Sequence, residues 1–151
     1  MIKMKELRIK EIEKKLDDIM ESISVVEENL SDNVEDFFGL GLVREGIYKK
    51  IEFAIESIID ICNIINSDLR LGVPEIEEDI IDNIEKRNVF GKKAIELIKE
   101  MKKFRNILVH KYGKIDDKIA FMNIRDGLKD FELIIKEIEG FLEKHKKKGE
   151  K

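Results

Sequence analysis

From Ile9 onward, apolar residues recur at alternating steps of three and four: Ile9, Ile12, Leu16, Ile19, Ile23, Val26 and Leu30. That spacing predicts an α-helix with one apolar seam, ending near Ser31-Asp32-Asn33. A seam this short, followed by further amphipathic stretches, suits the first helix of a bundle better than a free coiled coil. A second helix is expected to begin around Val34 to Phe38, pass through Gly39 and Gly41, and run well formed from Val43 to Ile65. Its stripe (Val43, Ile47, Ile51, Ala54, Ile55, Ile58, Ile59, Cys62, Ile65) is wide, as in a helix packed on more than one side. The clearest break holds the only proline, Pro74, in the first turn of a third helix from Glu75 to Arg87. Asn88-Val89-Phe90-Gly91 separates that helix from a fourth, Lys92 to Tyr112, stopped by Gly113 as a C-terminal cap. Asp116 or Asp117 can cap a short helix at Lys118 to Met122, which leads into a last one through Phe131, Ile135, Ile138 and Leu142. No stretch alternates with period two. The expectation is an all-α, up-and-down bundle of about five helices, a single domain over 1–145 with a basic tail over 146–151 that frays.

Composition narrows the class without naming a function. A chain of 151 residues supports one ordinary core. With 42% apolar residues in regular patterns it folds rather than staying disordered. One cysteine, Cys62, excludes an internal disulfide, and only two histidines argue against a structural zinc site. Cys62 sits on the apolar stripe and reads as a small core residue. No apolar run is long enough for a membrane span, and the charged start MIKMKELRIK does not resemble a signal peptide. A cytoplasmic protein is therefore expected. The net charge of −4 speaks against a surface built wholly to coat nucleic acid. The charge is uneven, however. Residues 92–118 hold nine Lys or Arg against four carboxylates, a local +5, so the rest of the chain carries −9.

Within that basic segment lies the one chemically unusual stretch, Phe104 to Asp116. It contains one of two histidines, one of two tyrosines, and an arginine in a chain that otherwise prefers lysine. Arginine grips a phosphate with a two-pronged donor, and histidine moves protons near neutral pH. An arginine and a histidine five apart also arise by chance, and Tyr112 could simply cover the end of a bundle. On an ideal helix, at about 100° per residue, Arg105 and Tyr112 lie roughly 20° apart but Arg105 and His110 about 140° apart. Asn106 and His110 share a face. One helix does not aim all of them at one point, whereas two such helices side by side in a symmetric dimer could.

The run Arg105-Asn106-Ile107-Leu108-Val109-His110-Lys111-Tyr112 resembles the Arg-x4-His-x-Tyr motif of HepT-like proteins, a branch of the HEPN superfamily. The continuation Lys114-Ile115-Asp116 is similar too, as are the long second helix over Glu52 to Asn63, the restart at Pro74 and the Asn88-Val89-Phe90 turn. The likeness covers roughly residues 1–143 and is less typical around Phe37 to Gly41. It implies a helical bundle that forms a homodimer or higher oligomer, with the motifs of both copies lining one cleft. It also implies metal-independent RNA cleavage without a cofactor, as the toxin of a type II toxin–antitoxin module. The implied partner is a minimal nucleotidyltransferase antitoxin that silences the toxin by adding AMP to the motif tyrosine. Carried onto this chain, His110 would be the acid/base and Arg105 the phosphate clamp. Asn106 would be the motif's polar second position and Tyr112 the acceptor of AMP. Asp60 is a candidate polar residue of helix two steering the site. The alternative is a non-catalytic helical dimer that binds a nucleotide or the transferase; the −9 remainder favours a basic protein partner over extended RNA contact.

Overall fold

A computed structural model describes residues 6–110 and 114–149. Six helices and no strand are found among the described residues: α1 (Ile9–Asn29), α2 (Val34–Phe38), α3 (Leu42–Asp68), α4 (Glu77–Lys86), α5 (Lys92–His110) and α6 (Asp117–Gly149). The all-α bundle predicted from the 3–4 spacing is what the chain forms. α3 is its centre, packed against α1, α4 and α5, while α6 closes over α1, α2 and α5. The wide stripe of α3 accordingly buries residues on several sides, from Ile47 and Ile51 to Ile61, Ile64 and Ile65. The seam of α1 is core, with Ile12, Leu16, Ile19, Ile23 and Val26 all buried. Cys62 is buried as well, and desolvation pushes its thiol up to about 12, so it stays neutral packing material.

Three element boundaries differ from expectation. α4 starts at Glu77 behind Ile76, which leaves Pro74 in the connection before the helix and not in its first turn. The start of the second helix is a separate five-residue helix, α2, capped by Asn33, whose side chain accepts the Asp36 N–H at 2.9 Å. The chain then turns through Gly41 at φ 57, ψ −120, a conformation that a residue with a Cβ adopts only under strain. This break lets Phe37 drop fully into the core against Tyr48 and Phe121. The last two expected helices are one. Asp116 accepts the N–H groups of Lys118 and Ile119, each at 3.1 Å. From there the 3–4 stripe runs unbroken through Ala120, Phe121, Ile124, Phe131 and Ile138. α6 continues through Gly149, with Lys146 Nζ 3.0 Å from Glu13 of α1. His145 packs against the Phe141 ring, the two centroids 5.8 Å apart.

The strain at Gly41 gives a stability prediction. Gly41→Ala meets no atom within 4 Å, so its cost is conformational alone, about 1–3 kcal/mol in chemical denaturation. Gly127→Ala, inside α6 and equally unobstructed, should instead stabilise by roughly 0.5–1 kcal/mol. A neutral Gly41→Ala would contradict the break.

α4 is held in place by a small polar relay. Asn66 of α3 donates to the Gly72 carbonyl at 2.9 Å and accepts from Asn83 of α4 at 3.0 Å. Asp79 accepts the N–H groups of Glu75 and Ile76 at 3.0 and 3.2 Å, and these bonds lower its pKa. The first turn of α4, carrying Glu77, is thereby fixed beside the middle of α3 and the end of α5.

Candidate active site

The motif helix is α5, whose apolar face (Ala94, Ile95, Leu97, Ile98, Met101, Leu108) is buried in the bundle. Arg105 lies on the inward side and its side chain is only 9% exposed. Buried charges need partners, and Arg105 has one on every edge of its guanidinium. One terminal nitrogen donates to Glu56 of α3 at 2.7 Å, and the other donates to Glu77 of α4. Its Nε donates to Asn106 Oδ1 at 3.0 Å. Burial opposes the charge, but the hydrogen bonds to Glu77 and Glu56 outweigh it and raise the pKa, so the guanidinium stays ionised. The two carboxylates are more open, 42% and 34% exposed, and can turn towards water.

His110 is the last residue of α5 and is exposed. The wide angle between Arg105 and His110 expected from helix geometry is therefore real: one side chain points into the bundle and the other out. Asn106 is half-buried between them and linked directly to Arg105. Tyr112 and the expected cap Gly113 lie outside the described residues. Asp60 is exposed and lies 3.4 Å from Lys15 of α1; the α3 carboxylate that touches Arg105 is Glu56, one turn earlier. Glu77 had no local signal, since in the first turn of a helix acidic residues are expected anyway. A second polar cluster stands at the start of α6. There Tyr48 donates to Asp117 at 2.5 Å and Arg44 lies 3.6 Å from the same carboxylate. Desolvation, with the bond to Asp117, raises the Tyr48 pKa and keeps the phenol neutral. Tyr48 is thus a core residue tying α3 to α6. No group of three His, Cys, Asp or Glu among the described residues is placed to hold a metal ion, and no described helix is long and apolar enough to cross a membrane.

The all-α bundle, with the buried Arg105 and the exposed His110 near the end of one helix, agrees with the family likeness of the motif. The chain belongs to the HepT-like ribonuclease family, whose family model matches residues 12–138. It is 28% identical over 93 residues to the mRNA nuclease HepT of Shewanella oneidensis, covering 62% of this chain and 70% of that protein. In three dimensions it is similar to a tri-AMPylated HEPN toxin of Shewanella oneidensis solved in complex with its MNT antitoxin. That similarity has a TM-score of 0.77 at 25% identity and covers 86% of this chain and 97% of the toxin. YutE, a cytosolic protein of unknown function from Bacillus subtilis, shares the fold, with a TM-score of 0.78 at 19% identity over 93% and 94% of the two chains.

Proposed function

We propose that this chain is a metal-independent endoribonuclease, the toxin of a toxin–antitoxin module, silenced by AMP addition to Tyr112 by a nucleotidyltransferase antitoxin. The observation that carries this reading is the pair Arg105 and His110 on α5, followed in the sequence by Tyr112, within the span that matches the HepT-like ribonuclease family. RNA supplies its own nucleophile, the 2′-OH. His110, exposed at the helix end, is the group that takes a proton from it or gives one to the leaving oxygen. The 2′ oxygen attacks phosphorus, the bond to the 5′ oxygen breaks, and a cyclic phosphate and a 5′-hydroxyl result. Arg105 supplies the positive charge for the phosphate. To do so it exchanges Glu77 or Glu56 for a phosphate oxygen, and Glu56 takes the steering place expected of Asp60. A dimer adds a second copy of the motif to the same cleft.

The test starts from protein shown by intact mass to carry no AMP. Incubated with RNA in EDTA it should cleave; after treatment with the nucleotidyltransferase and ATP it should gain AMP and stop. Tyr112→Phe should cleave and escape silencing. An unmodified, folded protein that leaves RNA intact yet binds the transferase tightly would move the assignment to the non-catalytic binding module.

A further inference from the structure

Between α4 and α5 runs a groove of about 310 Å³ lined by Glu78, Ile81, Lys99, Lys102, Lys103 and Asn106. Three features give it the character of an anion site. A guanidinium can only donate, so Arg105 Nε fixes Asn106 Oδ1, and the amide NH₂ is left as a donor with no partner among the described residues. Lys102 is half-buried yet makes no salt bridge among the described residues, although its charge is felt at Asp79. Lys103 is largely exposed and lies 3.9 Å from Glu100, a separation that leaves its ammonium available. Lys99, by contrast, is neutralised by Glu85 at 3.3 Å and Asp82 at 3.5 Å. On an ideal helix Lys102, Lys103, Asn106 and His110 fall within one arc of about 100°. The groove therefore opens on the same face of α5 as the exposed histidine, and its last lining residue, Asn106, lies one turn before it. The hollow between α3, α5 and α6, about 340 Å³, shares Lys103 with the groove but is a poorer place for a phosphate, lined by Ile51, Ile55 and Phe131 and by the carboxylates Glu100, Asp126 and Asp130.

We propose that the α4–α5 groove is a phosphodiester subsite in which Lys102, Lys103 and the Asn106 amide hold the RNA backbone next to the bond cut at His110. Arg105 orients Asn106 from below. Glu78, on the opposite wall, opposes the strand and limits its affinity, which helps a product to leave. The inference rests on the ribonuclease reading for its substrate but is tested by binding.

A fluorescent 2′-O-methyl RNA oligonucleotide, which lacks the nucleophile and cannot be cut, reports binding by anisotropy over a salt series. Each phosphate contact contributes about 0.7 to the log–log salt slope for a single strand, so Lys102→Ala with Lys103→Ala should flatten it by roughly 1.4. Affinity should fall about tenfold at low salt, uniformly across sequences. Glu78→Gln should tighten binding, and Lys14→Ala, on the exposed side of α1, serves as the control for general charge. If the double variant binds like Lys14→Ala, the subsite is refuted, whether or not the protein cuts RNA. If binding depends on the two lysines but RNA is never cut, the subsite stands and the ribonuclease reading falls.

Discussion

Alanine at His110 is expected to slow RNA cleavage by about 10²–10⁴-fold, the range that a positioned acid or base contributes. Thermal stability should hardly move, because the side chain is exposed at the last position of α5 and surface changes of this kind stay within roughly 0.5 kcal/mol. That separation of effects matters. A loss of activity accompanied by unfolding would say nothing about chemistry, whereas loss with an unchanged melting curve assigns the role to the imidazole. Single-turnover cleavage of a short RNA in EDTA is the cleanest readout, with two substrates compared. An oligonucleotide carrying a single 2′-deoxy sugar at the cut site should resist the wild type more completely than ordinary RNA resists His110→Ala. It lacks the nucleophile altogether, whereas the variant loses only the imidazole's contribution of about 10²–10⁴-fold. Equal rates for variant and wild type would remove His110 from the mechanism. Cleavage of the 2′-deoxy substrate would remove the 2′-OH as nucleophile and put water in its place.

Much of the architecture is legible in the chain because its helices carry long, unmixed 3–4 stripes. The seam from Ile12 to Val26 and the broad stripe from Ile47 to Ile65 are each buried as their spacing requires. Boundaries are less legible where glycine decides. Gly39 and Gly41 could be tolerated within one helix, and only the positive φ that Gly41 adopts turns them into a break. Gly127 sits within an equally apolar stripe and breaks nothing. The site is legible along α5 and illegible across it. The motif names Arg105, Asn106 and His110, but the carboxylates that fix Arg105 come from other elements. Glu56 and Asp60 lie about 40° apart on α3, too close for periodicity to tell which one faces α5. Glu77 reaches Arg105 only because the Asn66–Asn83 relay and the Asp79 cap hold the first turn of α4 against it. No local pattern encodes that approach.

The Arg105 cluster sets up the second large effect, one that separates structural from functional use of the same side chain. With Arg105 removed, Glu56 and Glu77 face one another across a vacated volume. A fully buried pair broken in this way costs about 3–5 kcal/mol. Here both carboxylates can turn to water, so Arg105→Ala should cost nearer to about 2 kcal/mol, together with at least a hundredfold loss of cleavage. Arg105→Lys keeps the charge but offers one compact ammonium where the native group serves Glu56, Glu77 and Asn106 at once. It should recover part of the stability and little of the activity. Glu77→Gln is the deciding variant. If Arg105 is only a brace for α3, α4 and α5, weakening one of its ion pairs lowers stability and leaves substrate affinity alone. If Arg105 must leave a carboxylate to meet phosphate, the same change lowers stability but also lowers KM, because the competitor for the guanidinium has lost its charge. Measuring KM and melting temperature on the same preparation distinguishes the two: a lower KM beside a lower melting temperature assigns Arg105 to the phosphate, and an unchanged KM returns it to the core.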